Sequence, residues 1–123
     1  MIWLVAATGL AGGLGAMARF VTDGIVTAQS RLPIPLGTPA VNITGSLLLG
    51  VITGLAVGVA PTELRTIVGA GFLGGYTTFS TASTQNADLL RKRHPYLALL
   101  YGAGMLAGSL SAAAAGLWIG VSL

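Results

Sequence analysis

The stretch "GGYTTFSTASTQN", Gly74 to Asn86, decides how this chain is read. It carries seven hydroxyl side chains, two amides and a glycine pair, and it follows an apolar run, Leu64 to Phe72, interrupted only by Arg65 and Thr66. The 123 residues around it are 54% hydrophobic and 7% charged, with 19 glycines and a mean hydropathy of +0.85. That composition belongs to an integral membrane protein and not to a soluble domain folded around its own core. The polar stretch therefore sits where a membrane span should continue.

A helix needs about 20 mostly apolar residues to cross about 30 Å of hydrocarbon. On that ruler the chain reads as one all-α transmembrane domain, residues 1–123, with four spans: Ile2 to Thr22, Leu36 to Val59, Leu64 to Asn86 and Tyr96 to Val121. The connections "DGIVTAQSRLPIP", "APTE" and "DLLRKRHP" collect the prolines, charges and turn formers. Little remains outside the bilayer, so function is expected within the membrane. The N-terminus has no Lys or Arg ahead of its apolar run, which reads as a retained first span and not a cleaved signal. A net charge of +3 bears on membrane orientation, not on nucleic acid. The absence of cysteine removes disulfides and thiolate chemistry.

Glycines recur every fourth residue, at Gly9 and Gly13, at Gly50, Gly54 and Gly58, at Gly71 and Gly75, and at Gly104 and Gly108. That spacing puts small residues on one helix face and lets backbones approach closely. Phosphate-loop readings of these segments fail, because no strand flanks them. Four small spans enclose little space alone, so an oligomer is expected.

Polar groups inside spans are the place to look for function. They are Arg19 in the first span, Thr38, Asn42, Thr44 and Ser46 in the second, Thr77 to Asn86 in the third, and Tyr101, Ser109 and Ser111 in the fourth. A Ser or Thr hydroxyl can bond back to the preceding helical turn. Asn42 cannot satisfy its amide that way and needs a partner on another helix, water or a ligand. The Gly74–Gly75 pair with the following threonines predicts a broken third helix, since irregular backbone at membrane depth is tolerated only where protein or water covers it. A break frees carbonyl oxygens that can hold a small hard cation. Asp23, Glu63 and Asp88 all fall at span edges, which leaves no carboxylate for a proton-coupled carrier. The permeant species these residues suit is a small anion or neutral molecule.

Three segments, "GGLGAMARF" (Gly12 to Phe20), "PLGTPAVNITGSLLLG" (Pro35 to Gly50) and "GFLGGYTTFST" (Gly71 to Thr81), together resemble the Fluc/CrcB family of fluoride channels. The resemblance implies a passive channel and not an enzyme. It implies antiparallel dimers of four-helix subunits with two fluoride pores, and a central structural sodium ion on main-chain carbonyls. Carried onto this chain, it makes Asn42 the amide that donates to dehydrated fluoride, with Thr38 one turn earlier. Gly74 and Thr77 become the sodium-binding carbonyls. Phe79 becomes an aromatic edge facing the anion, followed by Ser80 and Thr81. Tyr101 and Ser109 fall on a polar track, and Arg19 near a vestibule.

Departures from the pattern accompany the match. Ala82 stands where a second phenylalanine is expected, Met105 where a track serine is expected, and Pro39 in place of an aliphatic residue. The reading is a passive channel that exports fluoride from the cytoplasm across the cell's inner membrane. Two alternatives stand beside it: a small multidrug-type proton antiporter, whose first-span glutamate this chain lacks, and a non-conducting accessory subunit of a heterodimeric fluoride channel. Arg31, Arg91, Lys92 and Arg93, with Arg19, fall on one side of alternating spans and only Arg65 on the other, which predicts an N-out, C-out chain. Such a bias suits a heterodimer with a related, oppositely oriented subunit, which stands beside the antiparallel homodimer that the resemblance implies.

Overall fold

The computed structural model describes residues 1–58 and 60–123, and every regular element among them is helical. The order is α1 (Ile2–Gln29), α2 (Gly37–Ala56), α3 (Thr62–Leu64), a π-helix π1 (Arg65–Leu73), α4 (Gly74–Tyr76), α5 (Ser80–Arg91) and α6 (Pro95–Ser122). Three of these, α1, α2 and α6, are long and apolar enough to cross a membrane. The elements from α3 to α4 form one continuous helical run, and a bend at residues 77–79 separates it from α5.

Helix ends differ from the expected spans for local reasons. Instead of stopping at Thr22, α1 continues to Gln29, because nothing in "DGIVTAQ" forces a stop. It ends at Ser30, whose ψ of 134° is extended, just ahead of Pro33 and Pro35, where the residue before a proline is pushed out of the helical region. The second span's expected end at Val59 lies outside the described residues, and α2 closes at Ala56. Likewise α5 runs on past Asn86 to Arg91 and closes with a left-handed residue, Arg93 at φ 62°. There His94 N–H donates to the Leu89 carbonyl at 2.9 Å and Arg93 N–H to the Leu90 carbonyl at 3.0 Å, the paired bonds of a Schellman cap. Pro95 then opens α6 at a position where its missing N–H costs nothing.

Two parallel helix pairs make the body, each seated on glycine. Along α2 and α6, a Cβ on Gly50 would strike the Ala113 carbonyl, one on Gly54 the Leu117 carbonyl, and one on Gly116 the Leu47 carbonyl. These matches advance together along both chains, so α2 and α6 run in the same direction. Along α1 and the third run, Gly71 faces the Thr8 carbonyl and Gly75 the Gly12 carbonyl, again in parallel. Not every glycine in the four-residue pattern serves this purpose. Gly9, Gly13, Gly58 and Gly104 have nothing within 4 Å of an added Cβ, while Gly12 and Gly15 carry the α1 contact.

Two small apolar clusters lie between the pairs. Val41, 1% exposed, packs with Leu73 and Tyr76, and Leu89 packs with Ala98, Tyr101 and Met105. Tyr76 joins the pairs: its ring stacks on Phe72 at 6.3 Å, and its hydroxyl lies 3.1 Å from Thr44 Oγ1 and donates to Thr22 Oγ1 at 3.5 Å. Gly45 makes room for it, since a Cβ there would meet Thr77 and the Tyr76 ring. Thr8, Thr44, Thr66, Thr77 and Thr84 each donate to a carbonyl four residues back, so these hydroxyls satisfy themselves within their own helix. The outward faces stay apolar, with Trp3, Leu10, Phe20, Leu110 and Trp118 all exposed.

Candidate functional site

The site is built around the broken third helix. Thr77 turns extended, at φ −81° and ψ 161°, after its N–H has made the last helical bond, to the Leu73 carbonyl at 2.9 Å. A continuing α-helix would next bond Thr78 N–H to the Gly74 carbonyl. Asn42 intercepts it: Thr78 N–H donates to Asn42 Oδ1 at 2.8 Å, and Asn42 Nδ2 donates to the Thr78 carbonyl at 2.8 Å. Thr81 N–H, which helix continuation would give to the Thr77 carbonyl, instead donates to Thr78 Oγ1 at 3.1 Å, starting α5 with a side-chain cap. The displaced donors leave the Gly74 and Thr77 carbonyls out of the helical ladder. Arg19 reaches one of them, Nη1 donating to the Thr77 carbonyl at 3.2 Å.

Beside the break lies a groove of about 350 Å³ lined by Asn42, Ser46, Thr78, Phe79, Ala82, Ser83, Asn86, Met105 and Ser109, with Thr77, Gly102 and Leu106. Asn42 stands at its head. After one amide proton goes to Thr78, the second points to the thioether of Met105, with Nδ2 and Sδ 3.2 Å apart. Thioether sulfur is a weak acceptor, so this donor is the least committed in the amide. Phe79 is 86% exposed, with its ring at the open side of the groove. The lining mixes an aromatic ring and apolar side chains with hydroxyls and amides.

A family model described as "CrcB-like protein, Camphor Resistance (CrcB)" matches residues 6–117, a stretch that contains the break and all the groove-lining residues. The chain belongs to the CrcB family. It is 51% identical over 118 residues to the "Fluoride-specific ion channel FluC 1" of Leifsonia xyli subsp. xyli, covering 95% of this chain and 86% of that one. Against the "Fluoride-specific ion channel FluC 2" of Cutibacterium acnes it is 41% identical over 122 residues, covering 98% and 96%. Against the "Fluoride-specific ion channel FluC" of Novosphingobium aromaticivorans it is 41% identical over 117 residues, covering 93% and 90%. This membrane chain is thus a CrcB protein whose relatives carry the name of a fluoride channel.

The CrcB fold brings some of the expected site residues together and separates others. Asn42, Thr77, Phe79 and Ser109 share the groove. Thr38, 2% exposed, does not join Asn42 there; it lines a second cavity of about 250 Å³ with Arg19, Asp23, Thr78 and Thr81. Thr78 touches both spaces and divides them. Tyr101 is buried outside the groove, lining a third cavity of about 330 Å³ with Leu36, Pro39 and Met105, its hydroxyl 2.8 Å from the Pro35 carbonyl and from the Gln85 side-chain oxygen position. One proton cannot serve both; with the Gln85 amide turned to present nitrogen, Tyr101 donates to Pro35 and accepts from Gln85. Ser80 is exposed at the first turn of α5, where its carbonyl accepts the Thr84 hydroxyl at 3.0 Å. Gly74 is exposed as well, and an added Cβ there would meet only the Gly69 carbonyl, at 4.0 Å.

Sequence reading placed three further contributors to this CrcB site among the polar in-span residues but gave them no individual role. Thr78 counts through its backbone, which no side-chain pattern reveals. Ser46 follows Asn42 by four residues and Asn86 follows Ala82 by four, so helical spacing puts each on the face of a residue already singled out. Asp23 was placed at a span edge and instead lies within α1, half-buried, its carboxylate against Gly37 at the start of α2. A negative charge beside a helix N-terminus is favourable.

Proposed function

We propose that this chain is a subunit of a passive, selective channel that exports fluoride from the cytoplasm. The observation that carries the reading is the helix break held by Asn42, which opens onto a groove offering an amide donor, a Phe79 ring and the Ser109 hydroxyl. Such a surface strips little from a large hydrated ion and suits a small anion that is a strong acceptor. Hydrofluoric acid crosses membranes neutral and ionises inside, so a selective pore under a negative-inside potential is sufficient for export.

The parallel pairing of α1 with the third run, and of α2 with α6, supports four crossings of alternating direction, with the third made of residues 62–76 and α5. A second subunit is part of the proposal, because the groove stays open on the Phe79 side and one chain cannot close it. The antiparallel arrangement brings the exposed Gly74 of each chain toward the other. The hard carbonyl oxygens of Gly74 and Thr77 fit a sodium ion at that contact: their helical donors are diverted, and each carbonyl has two lone pairs, so Arg19 on Thr77 leaves one free. When bound, sodium would supply a fixed positive charge near the anion route.

The Lys and Arg distribution supports an N-out, C-out subunit in the plasma membrane. It favours a related partner of opposite bias, which would supply an aromatic edge that Ala82 does not. Fluoride efflux from liposomes holding the purified chain, with chloride as comparison, tests the proposal. Fluoride release with chloride retained is the expected result; a folded dimer that releases neither ion is an accessory subunit, and proton-driven drug uptake would mark an antiporter.

A further inference from the structure

Among the described residues, Asn86 is the groove residue with a buried polar side-chain atom left unpaired. Its Oδ1 is buried and meets no donor. Its amide packs against α6 at Gly102, where an added Cβ would sit 3.0 Å from Nδ2 and crowd it. An amide at membrane depth with an unpaired carbonyl carries a real cost, and such a group in a native fold calls for an explanation.

We propose that Asn86 is a second fluoride donor and a selectivity-determining residue of the channel, taking the anion in the space that Ala82 leaves open. The assignment rests on the fluoride-channel reading above. Asn86 lies seven residues beyond Phe79 on α5, about 10 Å further along the helix axis, and four residues beyond Ala82 on the same face. With Oδ1 turned into the protein, the atom left to the groove is the Nδ2 donor, so the amide shows an anion its positive end. A bulky ring at residue 82 would stand over this position; a methyl leaves it open. Past Asn86 the helix runs out to Arg91, Lys92 and Arg93, a basic end that raises the local concentration of anions. The route then passes from the basic end to Asn86, and from Asn86 to Phe79 and the Asn42 proton held only by the Met105 thioether.

Fluoride and chloride efflux from liposomes, read for the wild-type chain and for Asn86→Leu and Asn86→Asp, tests this. Leu keeps the branched outline of Asn at a larger volume, and it removes the donor and the unpaired carbonyl together, so the protein should still fold. Fluoride flux in Asn86→Leu should nevertheless fall about tenfold, the effect of losing one hydrogen bond to a charged group. Asn86→Asp keeps the shape and should fall further, since the carboxylate repels the anion. Wild-type fluoride flux preserved in a stable Asn86→Leu protein overturns the proposal and makes the residue mere packing. A silent wild-type protein overturns the channel reading itself, and this assignment with it.

Discussion

Replacing Asn42 separates two jobs that its amide performs. In Asn42→Ala the Thr78 N–H and carbonyl both lose partners held at 2.8 Å. Two unsatisfied backbone groups cost about 2–6 kcal/mol if the break keeps its shape. The cheaper course is for Thr78 N–H to return to the Gly74 carbonyl, which continues the helix and withdraws that carbonyl from the proposed cation site. Asn42→Asp is different. It keeps an oxygen to accept Thr78 N–H, yet it sets a carboxylate against the Thr78 carbonyl and in the path of the anion. A unit charge about 4 Å from fluoride, at an effective dielectric of about 20, opposes it by about 4 kcal/mol, or roughly a thousandfold. The assay is fluoride efflux from liposomes, paired with thermal unfolding of the same preparations. The Ala variant should unfold earlier and lose most flux; the Asp variant should lose flux to background while holding more of its stability. An Asp variant that conducts at the wild-type rate would remove Asn42 from the anion path, and an Ala variant with unchanged stability would refute the clamp.

Other expectations are as direct. Phe79→Ile should slow fluoride about fivefold while leaving assembly intact, because it retains apolar bulk and removes the ring edge, a contact of order 1 kcal/mol; normal flux would make Phe79 a packing residue. Gly75→Ala should destabilise by about 1–3 kcal/mol through collision with the Gly12 carbonyl, whereas Gly13→Ala, with open space around it, should stay within about 0.5 kcal/mol. Unfolding temperatures of the two variants compare them, and equal values would contradict the packing described. Tags at both ends of the chain expressed alone should be reached only from outside the cell, and labelling divided evenly between the two faces would refute a fixed orientation.

The sequence alone determined the solvent, the helical class and the place of the break. Apolar length fixes what can cross a bilayer, and a Gly pair followed by hydroxyls is a chain that can leave the helix and satisfy itself afterwards. It also named Asn42, because an amide in an apolar helix has no partner within its own turn. What Asn42 bonds to was decided only by the tertiary structure, since the Thr78 backbone is 36 residues away and carries no side-chain signal. The same holds for the glycines. Their four-residue spacing was legible, but which of them press on a neighbouring backbone depends on how each helix is rotated, and α1 uses Gly12 and Gly15 where the pattern marked Gly9 and Gly13. Thr38 and Asn42, one turn apart, looked like one wall and became two, because the Thr78 backbone enters between them. Spacing along a helix fixes which side chains share its face; what they face is settled by the helices that pack against it.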